Sequence, residues 1–247
     1  MERLLLNAAI GITGYADLTV IGPRGCREHL PRGVTVHEVP AGLGPFLAAA
    51  SWQIIRLSAR HAWAAAVGGS GLIAPLLLLS RVLGRCPTMV LLHGLDVVTD
   101  NRLYRAIFLP CIRRVDCVVA NSANTRELAQ ARGVLPGRIA VVNPGTSLPP
   151  QPAQNELADF RNRHGIAFTH YLVFVGRLTR RKGLSRFLRH GLPQILRAVP
   201  DCGLVVVGQN PAQSLNRLGE EAEVFSAIEE ESWKTGCAFW ETFQTTT

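Results

Sequence analysis

Between two glycines, at positions 176 and 183, the chain places four basic residues in six positions: VGRLTRRKGL, residues 175–184. Arg177 and Lys182 have the chemistry to hold an anion together. An arginine grips phosphate through a bidentate fork, and a lysine adds a point charge. The apolar run YLVFV leads into Gly176, which lets the backbone turn and approach a ligand closely. A helix expected to begin near Lys182-Gly183 adds free N–H groups and the positive end of its dipole. The plain alternative is a solvated basic turn, and Arg180 and Arg181 are assigned to it. The stretch is neither a GxxxxGK[ST] loop nor a GxGxxG turn.

Other polar groups also stand at the ends of apolar runs. His93 and, three residues on, Asp96 follow MVLL. Asn121 and Ser122 follow VVA, Gly69 lies in GGSG, and Gly208 ends VVVG. Each has a bland reading beside the chemical one. His93 can be a histidine satisfied at a strand terminus. Asn121 and Ser122 can form a turn and helix cap. Gly69 can serve a tight turn, and Gly208 can give backbone room near a ligand.

Short apolar segments alternate with helical ones. Expected strands are 17–22, 34–39, AWAAAV, 88–94, 116–122, 138–145, YLVFVG and GLVVVG. Expected helices are PFLAAASWQIIRLSARHAW, one starting near Leu72, RLYRAIFLPCIRRV, and NTRELAQARGV with Asn124 or Thr125 as N-cap. Another is LSRFLRHGLPQILRAV, which Pro193 should kink or divide. Such alternation predicts parallel sheets covered on both faces, with ligands beyond the carboxyl ends of the strands. The proline-rich stretch TSLPPQPAQNE reads as an interdomain break. The expected division is a domain over 1–147, a linker over 148–165 and a second domain over 166–247.

The chain has 247 residues, 47% of them hydrophobic and 18% charged, which is a globular composition. Its net charge of +8 favours anionic partners. Aromatic residues are only 6% and do not interleave with basic ones, which argues against nucleic acid as the partner. The six cysteines, at 26, 86, 111, 117, 202 and 237, form no CxxC pair or zinc spacing. Buried free thiols in a reducing, cytoplasmic compartment are expected. The uncharged stretch 62–80 approaches the length of a membrane span, but GGSG and Pro75 make it read as strand, turn and buried helix.

In order and spacing, GGSG, LLHGLD, VVANS, VVNPG, FVGRLTRRKGL and LVVVGQNP resemble the retaining glycosyltransferases of family 4, from about residue 15 to about 215. The resemblance implies an α/β GT-B fold of two Rossmann-like parallel-sheet domains. The family's G-R-x-x-x-x-K-G pattern matches Gly176, Arg177, Lys182 and Gly183. It implies that Arg177 and Lys182 bind the diphosphate of a nucleotide-sugar donor, with Gly208 near the nucleotide. It places His93 against the transferred sugar, as the catalytic candidate. Gly69, Asp96, Asn121 and Ser122 would face the acceptor side of the cleft. No metal or other cofactor is implied. The acceptor would be lipid-linked or polysaccharide, of the cell envelope. The basic helix RLYRAIFLPCIRRV is either a core helix with a solvated side or a contact for an anionic membrane surface at the inner face.

The family also carries pieces with no counterpart here. A strand and glycine-rich loop precede the helix that MERLLLN resembles, and a later E-x7-E segment holds the ribose. The second domain is therefore expected to be incomplete and the chain truncated at both ends. Three readings stand open: a glycosyltransferase transferring sugar with retention, an inactive remnant or subunit that binds phosphate weakly, and a basic membrane-surface module.

Overall fold

The structure, a computed structural model, describes residues 2–145, 148, 150–208, 220–230 and 237–241. The chain forms two compact units, Met1–Leu148 and Pro149–Thr247.

The first unit opens with helix α1 (Glu2–Thr13), then strands β1 (Thr19–Pro23) and β2 (Thr35–Val39) and helix α2 (Leu43–Ser58). Strand β3 (Ala66–Gly68), helix α3 (Ala74–Gly84), strand β4 (Thr88–Leu92) and helices α4 (Gly94–Val98) and α5 (Arg102–Ile112) follow. Strand β5 (Cys117–Ala120), helix α6 (Ala123–Ala131) and strand β6 (Ile139–Val141) complete it. β1 and β2 pair with each other, and β3-β4-β5-β6 form a second sheet; every pairing is parallel. Parallel strands need crossovers, and the helices between them supply these. Val90, Leu92 and Val118 from the strands meet Leu77 of α3, Ile112 of α5 and Ala129 of α6 in one buried cluster. Burying each large side chain contributes about 1.5–3 kcal/mol. The stretch 62–80 divides as expected into strand, turn and helix, although the strand is only three residues long. Among the described residues no helix is long and apolar enough to cross a membrane.

The second unit begins with helix α7 (Gln154–Arg163), in the linker span, where the sequence LADFRNRHG (157–165) predicts a helix. Strand β7 (His170–Val175), helices α8 (Leu184–His190) and α9 (Leu192–Ala198) and strand β8 (Cys202–Gly208) come next. Helix α10 (Glu220–Glu230) and strand β9 (Cys237–Glu241) follow, and β7-β8-β9 form a parallel sheet. Leu184, Leu188 and Leu192 pack with Leu204, Val206, Val224 and Ala227. The helix expected over 184–199 is divided, as Pro193 requires, with the break at Gly191, where α8 ends and α9 begins.

Three local expectations need correction. α2 ends at Ser58 rather than running on towards Trp63. The N-cap of α6 is Ser122, as the turn-and-cap reading of Asn121 and Ser122 has it, its side chain accepting the Thr125 N–H, and not Asn124 or Thr125. Strand β9 was not recognised from the sequence. The QNP that follows Gly208, matched to the family from sequence, lies outside the described residues.

Candidate functional site

In a parallel sheet all carboxyl ends lie along one edge, and the sequence-predicted groups of the first unit gather there. β4 lies between β3 and β5, so His93 stands between Gly69 on one side and Asn121 on the other. The His93 ring places Nε2 3.1 Å from the Gly69 carbonyl oxygen. A carbonyl only accepts, so Nε2 carries a proton there. The Asp96 carboxylate accepts the His93 backbone N–H at 2.8 Å and also a bond from the Gly71 N–H, tying the end of β4 to the turn after β3. Burial pushes the Asp96 carboxyl above the usual carboxylate range, against these hydrogen bonds and the nearby His93.

Asn121 and Ser122 belong to a closed set of bonds with Thr125. The Thr125 hydroxyl donates to Asn121 Oδ1 at 2.7 Å, and the Ser122 hydroxyl lies 3.0 Å from it. Thr125 is buried, so both residues are drawn towards α6. Gly69 has a steric reason to be glycine: a Cβ there would meet the Leu5 side chain of α1 at 2.7 Å.

Sequence reasoning missed Tyr104. Its hydroxyl is buried beneath this edge without a hydrogen-bond partner among the described residues. Burial, and next the charge of Asp96, push the phenol up. A Cβ on Gly71 would run into that hydroxyl. An aromatic in an amphipathic helix carries no sequence signal for such a position.

In the second unit the basic turn follows β7. Residues 180–182 form a short 3-10 turn, and α8 starts at Leu184, after Gly183 in the left-handed region at φ 72°. Glycine is the natural residue at that angle. α8 is only seven residues long, so its end adds little to an anion site, contrary to the expectation of a longer helix. The side chains matter more. Lys182 folds back, its Cε 3.8 Å from where a Gly176 Cβ would lie. Arg177 directly follows Gly176, and both cations are exposed. Among the described residues neither has an acidic partner; the ion pairs there are Arg81–Asp116 and Arg132–Asp100. Arg180 and Arg181 are exposed as well. Gly208 ends β8 beside Gly176, and a Cβ on it would overlap the Gly176 carbonyl oxygen. The structure thus brings Gly176, Arg177, Lys182, Gly183 and Gly208 together at the carboxyl end of the second unit's sheet. Two free cations around a glycine-lined strand end can bind an anionic group and take up charge developing on it. Among the described residues no group of three or more His, Cys, Asp or Glu side chains is arranged to hold a metal ion.

The sequence model for Glycosyltransferase Family 4 matches residues 4–148. No curated protein matches the chain. Among solved structures it is similar to Anabaena Alr3699/HepE in complex with UDP and glucose, at TM-score 0.73 and 14% identity, over 96% of this chain and 64% of that one. It is similar to a glycosyltransferase from Rickettsia africae ESF-5 at TM-score 0.71 and 16% identity, over 98% of this chain and 65% of that one. It is also similar to the lipopolysaccharide outer core galactosyltransferase WaaB, apo form, at TM-score 0.61 and 13% identity, over 98% and 64%. At such identities the likeness establishes the fold, of the GT-B kind. The chain spans about two thirds of the length of these structures, at 64–65%.

Proposed function

The chain belongs to glycosyltransferase family 4, and from that premise we propose that it binds a nucleotide-sugar donor and transfers the sugar, with retention, to a cell-envelope or polysaccharide acceptor. The observation that carries this reading is the pair Arg177 and Lys182. Two exposed cations, without acidic partners among the described residues, flank the turn at a parallel strand's carboxyl end, with Lys182 folded towards Gly176. That is where open α/β sheets bind ligands.

Sugar transfer breaks the anomeric carbon–oxygen bond and leaves negative charge on the nucleoside diphosphate. Cations aimed at the leaving group are worth more in the transition state than in the ground state. Arg177 and Lys182 take the diphosphate in this reading, with Gly176, Gly183 and Gly208 leaving room for it. His93 orients the donor sugar, while Gly69, Asp96, Asn121 and Ser122 shape the acceptor side. Support for a nucleotide-sugar partner comes from the similar HepE structures, which hold UDP and UDP-glucose. The acceptor class is suggested by the similarity to a lipopolysaccharide galactosyltransferase, and it suits a protein that works peripherally at the inner membrane face.

Calorimetry with UDP, GDP and ADP tests the donor site. One nucleotide should bind, and Arg177→Ala or Lys182→Ala should each weaken it by roughly tenfold to a hundredfold, the worth of a charge-assisted hydrogen bond. Loss of one such group should slow transfer by about 10²–10³. Absence of binding to all three nucleotides overturns the proposal. Binding without any sugar transfer points instead to a non-catalytic subunit.

A further inference from the structure

Tyr104 has no part in the reading above, yet it lies under both supports of His93. It stands in the first turn of α5, where its N–H donates to Asn101 Oδ1 at 3.0 Å. One helical turn on, Phe108 stacks against its ring, with centroids 5.1 Å apart and planes at 25°. Packing fixes the ring, and with it the place of the hydroxyl. That place is crowded. A Cβ on Gly71 would collide with the hydroxyl, and would meet Ile112 Cδ1 at 2.9 Å and Asp96 Cβ at 3.2 Å. Tyr104, the Gly71 backbone and the Asp96 side chain thus meet at one buried point.

Both neighbours hold His93. The Asp96 carboxylate accepts the His93 N–H, and the Gly71 N–H with it. Gly71 ends the GGSG turn, whose Gly69 carbonyl lies 3.1 Å from His93 Nε2. A phenylalanine at 104 would keep the stacking and bury no hydroxyl. The tyrosine carries a buried hydroxyl without a partner among the described residues, which costs stability unless the group has a use. The acceptor beside it is Asp96. A carboxylate offers about four lone-pair positions, and two backbone N–H groups leave some of them open. Burial, and next the Asp96 charge, raise the phenol. It therefore keeps its proton and serves as a donor.

We propose that Tyr104 is a positioning residue for sugar transfer. Its hydroxyl donates to the Asp96 carboxylate, which turns towards it. This bond locks Asp96 and the Gly69–Gly71 turn in the places from which they set the His93 ring. What His93 does with the sugar rests on the reading above; how its ring is held does not.

Histidine ring spectra of the whole chain test it. Long-range proton–nitrogen correlations at a pH of about 8, above the ordinary histidine range, report which ring nitrogen carries the proton. His93→Gln identifies the His93 signals. In the wild type Nε2 should be protonated. Tyr104→Phe keeps the stacked ring and should give a mixture of both tautomers at an unchanged thermal midpoint. It should also slow sugar transfer by roughly tenfold to a hundredfold, the scale of a slight misplacement at a reacting centre, with calorimetric affinity for UDP, GDP or ADP unchanged. In an Asp96→Ala background Tyr104→Phe should add nothing to either effect. Unchanged His93 signals in Tyr104→Phe overturn the proposal. So does a thermal midpoint lowered as far as by Tyr104→Ala, which would mark a packing role alone. So do effects that simply add to those of Asp96→Ala. If no nucleotide binds, the reading of the reaction fails, while the ring spectra still decide the part of Tyr104.

Discussion

The carboxylate of Asp96 accepts the backbone N–H of His93 at 2.8 Å, and the Asp96 N–H returns a 2.8 Å bond to the His93 carbonyl. The residue proposed to meet the sugar is thus held through its backbone by a buried acid. Because that acid also takes the Gly71 N–H, it fixes two adjacent strand ends at once.

Asp96→Ala should destabilise the first unit by about 1–3 kcal/mol, since two buried N–H groups lose their acceptor. Asp96 has a further signature in pH. Burial raises its carboxyl in the folded state. The stability it contributes is whole below its unfolded value and is lost as pH rises through the folded one. Asp96→Asn does not ionise. Urea unfolding of both proteins across pH 4–7 (about the window of carboxylate titration) should show the variant gaining on the wild type as pH rises. A constant difference would show that the carboxyl is not raised.

Asp116 should behave in the opposite sense. At the amino ends of β4 and β5 its Oδ2 accepts the Thr88 hydroxyl at 2.8 Å and the Thr88 N–H at 2.9 Å. Burial works against its charge, but the Thr88 bonds, Arg81 and Arg138 outweigh it and hold the carboxyl below the usual range. Its contribution is present above the unfolded value and is lost as pH falls through the folded one. Asp116→Asn should therefore be less stable than wild type near neutral pH, by about 1–2 kcal/mol, with the gap closing in acid. Parallel denaturation midpoints at all pH values would contradict this.

The alternation of elements was legible because parallel strands are buried on both faces. TMVLL, CVVA and GLVVV are continuous apolar runs with little else they could form, and YLVFV reads the same way although one of its faces is exposed. The basic turn that carries Arg177 and Lys182 was legible as a strand end too, because a strand, a glycine and a basic turn are local. What escaped were matters decided across the fold. The α6 cap could be any of several polar residues in NSANT. Tertiary packing drew Thr125 inward to bond Asn121, which left Ser122 as the cap. Tyr104 reads as one more apolar-face residue, and only the fold around it, with Asp96 and Gly71 as neighbours, reveals a hydroxyl without a partner among the described residues. The nearness of Gly208 to Gly176 follows from the register Val175 to Val207, between strands far apart in sequence.

That nearness makes Gly208 a sharper probe than its place in a loose motif suggested. A Cβ there meets the backbone carbonyl of Gly176, which no rotamer change relieves. Gly208→Ala should force the ends of β7 and β8 apart, at a cost of about 1–3 kcal/mol, and shift the turn bearing Arg177 and Lys182. Nucleotide affinity should fall even where the fold survives. Gly183→Asn is the useful contrast. Nothing lies within 4 Å of its added Cβ, and asparagine tolerates the left-handed region better than other residues. The contrast fails if the two variants show equal losses in thermal midpoint and in nucleotide titration.

The second unit leaves one side of β7 open. Tyr171, Val173 and Val175 alternate along one face at 48%, 55% and 72% exposure. In a parallel sheet such a row is ordinarily covered. In the first unit, β1 and β3 each pair on one side only among the described residues, so each offers unpaired backbone groups on the other. Exposed apolar rows and open strand edges favour association. Sedimentation velocity of the whole chain should show a concentration-dependent shift above the monomer. Val173→Thr with Val175→Thr keeps β-branched residues on the strand and should reduce that shift without lowering the thermal midpoint. If the double variant associates as strongly as the wild type, the contact lies at the strand edges and not on this face; if the wild type stays monomeric at every concentration, neither surface drives association.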